Sequence, residues 1–351
     1  MKKTVRSGQV PASSTMTDEQ LRLHELSRSR DLDVRAEVAE NPRTAAETLE
    51  KLSRDRSFWV RRGVARNPGT PLEVLAALSE DRKPEVRIDV GDNRRTPAKV
   101  LDKLSRDDDW YVRRVVAENP ATPVKTLERL IRDHEWQVRR SVAENPRTSA
   151  RLLDKLSRDD DQDVRSSVAE NPHLPAETLA RMSDDPEGIV RMGVAQNPAC
   201  PLPLLGKLFD SGDDDVQYEV MGNPNIPVET LIERSFHKSA GIRAGIADNP
   251  NCPAGILTAL STDIDGGVRL AVAGHINTPA EALDKLSRDE NEHVRLLVAY
   301  NPATSLETLE RLIEENRGNP DYEGNTLIMD NYEAKKQAVA AKRRKKPAEK
   351  P

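Results

Sequence analysis

Arginine side chains recur at a fixed spacing along this chain of 351 residues. An arginine directly follows a valine or isoleucine at 26-residue intervals from Arg35 to Arg295, in ten of eleven positions, and Gln217 is the exception. Guanidinium groups bind phosphates and carboxylates, so this column is either a basic ladder that faces phosphates or an arginine–acid ladder between stacked layers. We favour the second interpretation, because Asp or Glu recurs three residues before the valine and Glu often lies six residues after it.

Aromatic residues gather beside a second arginine in three of these repeats. They form what we call the aromatic–arginine strip, which comprises Phe58, Trp59, Arg62, Trp110, Tyr111, Arg114, Trp136 and Arg140. These residue types are enriched at binding hot spots, and they also stack on nucleic-acid bases. Residues at equivalent positions of stacked repeats would lie along one ridge. The first hypothesis is that this ridge binds a partner. Alternatively, the aromatic rings fold over the inter-helix loop and shield the edge of each layer.

The C-terminal end of the chain is basic, whereas the rest is acidic. Residues 333–351 carry a net charge of +6, which leaves −11 for residues 1–332 out of the total of −5. The basic run consists of Lys342, Arg343, Arg344, Lys345 and Lys346. It is either a solvated tail or a contact for nucleic acid or an acidic partner. The acidic remainder is a poor general binder of polyanions.

Residues that carry out catalysis or bind metals form no recognisable motif. The six histidines show no helical pairing, and neither a phosphate-cradling glycine motif nor a Gly-x-Ser-x-Gly motif occurs. Cys200 and Cys252 lie two repeat periods apart, which predicts a separation beyond disulfide reach. We therefore predict that the chain is no enzyme and takes no metal, cofactor or small-molecule substrate. The N-terminal sequence resembles neither a secretory signal nor a membrane span, so we expect a cytoplasmic protein.

The element that positions these residues is a pair of short helices, and residues 109–134 illustrate it. Asp109 is predicted to cap a first helix, on which Val112 and Val116 share one face because they are four residues apart. That helix should end before Asn119, because the residue before a proline avoids the helical conformation. Asn-Pro recurs in nine of eleven repeats, and the exceptions are Asn93-Arg94 and His275-Ile276.

The second helix of the pair is predicted to start at a threonine cap. Thr122 would be the N-cap, with Pro123 at the first helical position and Leu127 and Leu130 buried against the next layer. A glutamate three residues after the threonine predicts complete capping boxes at four further positions, namely Thr44, Thr70, Thr278 and Thr304. The first leucine position is Leu in all eleven repeats.

The repeat defines the fold class and the domain boundaries. Including a lone leucine helix at the start, we predict twelve leucine helices and eleven valine helices, and no strands. The fold is then an all-α solenoid of about eleven 26-residue two-helix repeats over residues 18–316. Residues 1–17 would be a disordered N-terminus and residues 317–351 a C-terminal extension with a disordered tail. The region from 241 to 274 contains six glycines. It is either a softer segment, which leaves Tyr218, Phe236, His237 and His275 available to a ligand, or a case of ordinary decay of the repeat.

The repeat resembles the leucine-rich repeat variant family. The pattern Asn-Pro-x-Thr-Pro-x-x-x-Leu-x-x-Leu-x-x-Asp, followed by Val-Arg-x-x-Val-Ala-x-Asn-Pro, is clearest from Asn119 to Pro146, and the match covers roughly residues 18–315. HEAT-type repeats share the aspartate followed by Val-Arg. The resemblance implies a right-handed superhelix of alternating helices, one α and one often 3₁₀, without catalytic residues.

Three functions are compatible with these patterns. The first is a noncatalytic protein-interaction scaffold in a prokaryotic cytoplasm, which fits the extended surface of a solenoid. The second is a nucleic-acid binder that uses the aromatic–arginine strip and the basic tail. The third is a subunit of a larger assembly whose terminal leucine helices stack between chains. No membrane association is expected.

Overall fold

The structure, a computed structural model, describes residues 16–315, 329 and 331–337. Within these residues the secondary structure is α-helical and contains no strand. None of the described helices combines the length and the hydropathy needed to span a bilayer. The N-terminal residues 1–15 and the basic run from Lys342 to Lys346 lie outside the described residues. Thr17, which we had assigned to the N-terminal segment, caps the first helix through its side chain.

One set of helices carries the Val-Arg pairs, and we call its members the valine helices. Each has nine residues, and each ends immediately before the Asn of the repeat or, once, before His275. They are α2 (Leu32–Glu40), α4 (Phe58–Arg66), α6 (Pro84–Asp92), α8 (Trp110–Glu118), α10 (Trp136–Glu144), α12 (Gln162–Glu170), α14 (Gly188–Gln196), α16 (Asp214–Gly222), α18 (Ala240–Asp248), α20 (Gly266–Gly274) and α22 (Glu292–Tyr300).

The other set carries the leucine pairs, and we call its members the leucine helices. They are α1 (Asp18–Leu26), α3 (Ala46–Leu52), α5 (Leu72–Leu78), α7 (Ala98–Leu104), α9 (Val124–Leu130), α11 (Ala150–Leu156), α13 (Ala176–Met182), α15 (Leu202–Asp210), α17 (Val228–Arg234), α19 (Ala254–Leu260), α21 (Ala280–Leu286) and α23 (Leu306–Glu315). The predicted twelve leucine helices and eleven valine helices are confirmed. Both kinds are α-helical, so the 3₁₀ helix that the resemblance implied does not occur among them.

The chain forms two compact units, residues 1–164 and residues 165–351. Valine helices pack against the valine helices of neighbouring repeats, as α8 does against α6 and α10, and leucine helices such as α9 pack against the valine helices on either side. Val112, Val116, Leu127 and Leu130 of the first unit are 0–2% exposed, which confirms the predicted core face. A seven-residue helix is too short to be stable alone, so each layer depends on its neighbours.

Asparagine side chains connect consecutive repeats through their amide groups. The Nδ2 of Asn119 donates to the carbonyl oxygens of Gly91 and Asn93, at 2.7 and 3.1 Å, and its Oδ1 accepts from the N–H of Ala121. The same pair of donated bonds is made by Asn67, Asn93 and Asn145 in the first unit and by Asn197, Asn223, Asn249 and Asn301 in the second. The asparagines thereby satisfy carbonyl groups that a helix end leaves without a partner.

Histidine replaces asparagine at one position of this series and keeps one of the two bonds to the preceding repeat. His275 is buried, its Nε2 lies 3.0 Å from the carbonyl oxygen of Asn249, and its Nδ1 accepts from the N–H of Asn277. An imidazole with its proton on Nε2 supplies one donor and one acceptor, whereas the amide supplies two N–H donors and an acceptor. The exception at His275 therefore keeps a single hydrogen bond between the repeats, to Asn249.

The threonines of the repeat do not cap the leucine helices, so this prediction is wrong. The Oγ1 of Thr122 donates to the carbonyl oxygen of Val116 at 2.6 Å, and α9 has Pro123 as its N-cap. The four threonines that were expected to form capping boxes donate in the same way, namely Thr44, Thr70, Thr278 and Thr304. The threonine thus closes the C-terminal end of the preceding valine helix, because its hydroxyl lies within reach of a terminal carbonyl group.

The arginine column forms an arginine–acid ladder, but with different acids from those the sequence suggested. The Nε and Nη2 of Arg113 donate to both carboxylate oxygens of Asp133, at 2.7 and 2.9 Å, and its Nη1 donates to the carbonyl oxygen of Asp107. The same bidentate pair over twenty residues joins Arg35, Arg61, Arg87, Arg139, Arg165, Arg243 and Arg269 to aspartates. Acids such as Asp109, three residues before the valine, cap the valine helices instead.

The ladder predicts that the protein loses stability in acid. Burial would raise the pKa of Asp133, but hydrogen bonds from Arg113 and from the N–H of Glu135 outweigh burial and lower that pKa. Since the folded pKa lies below the unfolded value, the carboxylate stabilises the fold above a pH of about 4, and this contribution is lost as the pH falls further. We expect the Tm, followed by circular dichroism, to fall steeply below a pH of about 4. A Tm that is constant from pH 5 to pH 2.5 would contradict a stabilising ladder.

The C-terminal extension includes a helix that lies on the last repeat. Residues 331–337 are helical, and the Nδ2 of Asn331 donates to the carbonyl oxygens of Ala299 and Asn301 at 2.6 and 3.3 Å. These are the two carbonyl groups to which the asparagine of a further repeat would donate. Lys335 donates to the carbonyl oxygen of Thr304. This helix therefore makes the hydrogen bonds to Ala299 and Asn301 that the asparagine of a further repeat would make.

Candidate functional site

The aromatic–arginine strip lies on the valine helices of the first unit, at two adjacent helical positions. Phe58, Trp110 and Trp136 are the first residues of α4, α8 and α10, and all three are partly buried. Trp59 and Tyr111 are the second residues of their helices, and they are 51% and 39% exposed. All three tryptophans therefore lie in the first turn of their helices, but Trp59 corresponds to Tyr111 rather than to Trp110.

Arg62 lies between an aromatic ring and a buried carboxylate. Its guanidinium carbon is 5.2 Å from the centre of the Trp59 ring, and its Nε donates to Asp89 at 2.7 Å. Arg66 of the same helix donates to the other oxygen of Asp89 at 2.9 Å. Because Asp89 belongs to α6, these two bonds hold α4 against its neighbour. Because Asp89 neutralises the guanidinium group that is stacked on Trp59, the part of this site that solvent and a partner can contact is the aromatic ring.

The other two arginines of the strip are also matched by carboxylates. Arg114 lies 4.3 Å from the centre of the Tyr111 ring, and its Nε is 3.4 Å from a carboxylate oxygen of Glu118. The Nε of Arg140 donates to Glu144 at 2.8 Å. Each of these pairs is formed within one helix, over four residues. The strip is therefore an aromatic surface with balanced charges rather than a basic surface.

The corresponding face of the second unit is apolar in another way. A groove of about 710 Å³ lies among α16, α18, α20 and α22, and it is lined by Tyr218, Leu270, Leu297 and Ile276, among others. Ile276 is 67% exposed, and the hydroxyl group of Tyr218 donates to Asp248 at the edge of the groove. Burial and the neighbouring carboxylate of Asp248 raise the pKa of Tyr218, so the phenol stays neutral. Tyr218 and His275, which the hypothesis of a softer segment makes available to a ligand, both line this groove.

The described residues contain no candidate metal cluster, and the two cysteines among them are buried. No group of three or more His, Cys, Asp or Glu side chains within them lies close enough together to hold a metal ion. Cys200 and Cys252 are free and buried, and burial raises the pKa of each thiol to about 11. A thiol with such a pKa is a poor nucleophile near neutral pH, because the thiolate is the reactive form.

A second charged surface escaped the sequence reasoning altogether. Three consecutive leucine helices, α7, α9 and α11, carry a lysine or arginine in the first turn, at Lys99, Lys125 and Arg151. Six other leucine helices have glutamate at this position. This change from acid to base is visible in the aligned repeats, and it would have identified the surface. The glutamates were considered only as parts of capping boxes.

Comparison with known proteins confirms the resemblance at four repeats. The family model described as leucine rich repeat variant matches residues 32–57, 58–82, 136–161 and 163–187. No curated protein matches the chain. Among solved structures, one described as a leucine-rich repeat variant with a novel repetitive structural motif is 24% identical, with a TM-score of 0.33, and the match covers 72% of this chain and 88% of that chain.

Two further solved structures are similar at lower identity. An engineered protein is 16% identical with a TM-score of 0.30, and the match covers 90% of this chain and 99% of that chain. Kap121p, solved bound to Pho4p, is 11% identical with a TM-score of 0.34, and the match covers 92% of this chain and 49% of Kap121p.

Proposed function

We propose that this chain is a noncatalytic protein-interaction scaffold whose aromatic–arginine strip contacts a protein partner. The observation that carries the proposal is the exposure of Trp59 and Tyr111, each stacked against an arginine whose charge a carboxylate already balances. Exposed aromatic residues flanked by arginine are typical of the centre of protein–protein interfaces. The apolar groove beside Tyr218 adds a second surface of the same character in the other unit.

Nucleic-acid binding by the strip is less well supported. Binding to a phosphate backbone requires cations that exchange their counterions for phosphates. Arg62 is paired with Asp89 at 2.7 Å and Arg140 with Glu144 at 2.8 Å, so a phosphate would have to displace a carboxylate. The basic run from Lys342 to Lys346, which the nucleic-acid hypothesis also invokes, lies outside the described residues.

End-to-end assembly is disfavoured at the C-terminal side. The carbonyl oxygens of Ala299 and Asn301, which an additional repeat would engage, already accept from Asn331. A second copy would need to displace the helix at 331–337 before its own leucine helix packed there.

The proposal predicts that removal of the two exposed rings abolishes partner capture without unfolding the protein. The variant Trp59→Ala with Tyr111→Ala should retain less than about one tenth of the captured partner, because a hot-spot side chain contributes about 2 kcal/mol or more. The measurement is capture by the immobilised full-length chain from a nuclease-treated lysate of the source cells, followed by mass spectrometry. The Tm should change by only a few degrees, because both side chains lie at the surface, at 51% and 39% exposure, and neither belongs to the buried core.

The matched control removes two exposed aromatic rings from the other unit. Phe236→Ala with Tyr300→Ala changes side chains that are 84% and 50% exposed, and it should leave the captured protein unchanged. The proposal is wrong if the strip variant captures the same protein as the unmodified chain. It is also wrong if nuclease treatment removes everything that the unmodified chain captures.

A further inference from the structure

A basic surface covers three consecutive leucine helices of the first unit. The segments 98–106, 124–132 and 150–158 contain α7, α9, α11 and the residues that follow each helix, and they carry nine Lys or Arg side chains against three carboxylates. Their net charge is +6, although residues 1–332 as a whole are acidic. We call this surface the leucine-helix patch. It lies on a different set of helices from the aromatic–arginine strip.

The first-turn cations of the patch oppose the local preference of their helices. The N-terminal turn of a helix favours acidic side chains, because the helix dipole places partial positive charge there. Six other leucine helices follow this rule with Glu47, Glu73, Glu177, Glu229, Glu281 and Glu307. Lys99, Lys125 and Arg151 break the rule in three neighbouring repeats, so helix stability does not account for them. A ligand that needs positive charge here does account for them.

The side chains of the patch line connected grooves between the repeats. One groove of about 950 Å³ is lined by Lys99, Lys103 and Arg106, among others. The next, of about 890 Å³, shares Arg106 and also takes in Lys125 and Arg151. A third, of about 520 Å³, shares Arg132 and Lys155 with the second and adds Arg158. Because neighbouring grooves share lining residues, one extended ligand can follow all three.

Five cations of the patch lack an ion-pair partner among the described residues. Lys99, Lys125, Arg132, Arg151 and Lys155 are exposed, and no described carboxylate oxygen lies within 4.0 Å of their nitrogens. The ladder aspartates in the same grooves are already engaged, as Asp133 is by Arg113 at 2.7 Å. The free charge of the patch is therefore positive, unlike the balanced charge of the strip.

We propose that the leucine-helix patch is a docking surface for an extended, acidic segment of a partner protein. The linings of the three grooves contain no Phe, Tyr or Trp that would stack on bases, and their one aromatic ring is the imidazole of His134. They also include the carboxylates of Asp108, Glu128 and Asp160. A nucleic acid carries a charge on every nucleotide and would meet these carboxylates, whereas a peptide spaces its acidic side chains. The proposal rests on the proposed function only in taking the partner to be a protein.

The test replaces the three first-turn cations by the residue that the chain itself uses elsewhere at that position. The variant Lys99→Glu, Lys125→Glu, Arg151→Glu should bind a fluorescein-labelled peptide of twelve residues, alternating glutamate and serine, at least tenfold more weakly in fluorescence anisotropy. Twelve extended residues span about 40 Å, enough to cross three helices spaced about 10 Å apart. The Tm should stay constant or rise, because glutamate suits the first turn of a helix.

The control variant makes the same change in net charge away from the patch. Arg94→Glu, Lys238→Glu, Lys285→Glu converts three exposed cations outside it and should change the Kd for the peptide less than twofold at 150 mM salt. Equal weakening by both variants, or no binding of the peptide by the unmodified chain, would overturn the proposal. A twelve-nucleotide single strand that displaces the peptide at lower concentration than unlabelled peptide would also overturn it, in favour of nucleic acid.

The strip variant separates this proposal from the proposed function. Trp59→Ala with Tyr111→Ala should bind the acidic peptide as tightly as the unmodified chain, because neither ring lines the grooves of the patch. Loss of peptide binding in that variant would place the acidic segment on the strip and contradict the assignment to the patch.

Discussion

Replacement of Asn145 by aspartate is expected to lower the free energy of unfolding by about 3–5 kcal/mol, the usual effect of a buried charge left without a partner. Asn145 is 1% exposed, and its Nδ2 donates to the carbonyl oxygens of Ala117 and Asn119 at 2.6 and 3.0 Å. In the aspartate variant a carboxylate oxygen would face two carbonyl oxygens, and both carbonyl groups would lose a donor. The measurement is urea unfolding at pH 7, followed by circular dichroism.

The control for this prediction comes from the chain's own exception. The variant Asn145→His should be destabilised less than the aspartate variant, by about 1–2 kcal/mol, because His275 keeps one of the two bonds to the preceding repeat, at 3.0 Å, and accepts from the N–H two residues on at 3.1 Å. Histidine is larger than asparagine and differs from it more in shape than aspartate does. If packing rather than hydrogen bonding governs this position, the histidine variant will therefore unfold at the lower urea concentration. That order would refute the role assigned to the asparagines.

The sequence alone predicts the helices of the 26-residue repeat, but it does not predict which aspartate pairs with each arginine. The helices can be predicted because the residues that determine them act locally. Asp109 caps α8, and the proline after Asn119 ends that helix. Leu127 and Leu130 are the buried residues of α9. The partner of Arg113 does not follow, because several acids of each repeat lie near enough in sequence to be candidates. Which acid is reached depends on the path of the loop that carries Asp133, and the repeat pattern does not encode that path.

The candidate sites were predictable to a smaller degree than the fold. The aromatic–arginine strip was found because tryptophan is rare in this chain. Its exposure was not predicted, because a shift of one residue along the helix separates a partly buried Trp110 from an exposed Tyr111. The leucine-helix patch was overlooked because lysine and arginine are abundant throughout. It becomes apparent only when Lys99, Lys125 and Arg151 are compared with the glutamates of the other repeats.

Glycines provide a further case in which three-dimensional contacts decide the interpretation. The glycines between 241 and 274 were taken as signs of a softer segment or of repeat decay, since glycine destabilises an isolated helix. The structure gives Gly245 a packing role. A Cβ at this position would lie 2.3 Å from the carbonyl oxygen of Tyr218 and 3.1 Å from the Cβ of Met221. Gly245 therefore permits the close approach of α16 and α18.

Replacement of Gly245 by valine is accordingly expected to lower the free energy of unfolding by about 3 kcal/mol, at the upper end of the usual cost of overpacking. The obstructing atom belongs to the backbone of α16, so no side-chain rotation can relieve the contact and the two helices must separate. The matched substitution Gly255→Val lies on α19, where nothing approaches a Cβ within 4 Å, and it should change the free energy of unfolding by about 0.5 kcal/mol or less. Urea unfolding of both variants measures the difference. Equal, small effects would mean that α16 and α18 move apart at little cost, and the segment would then be soft after all.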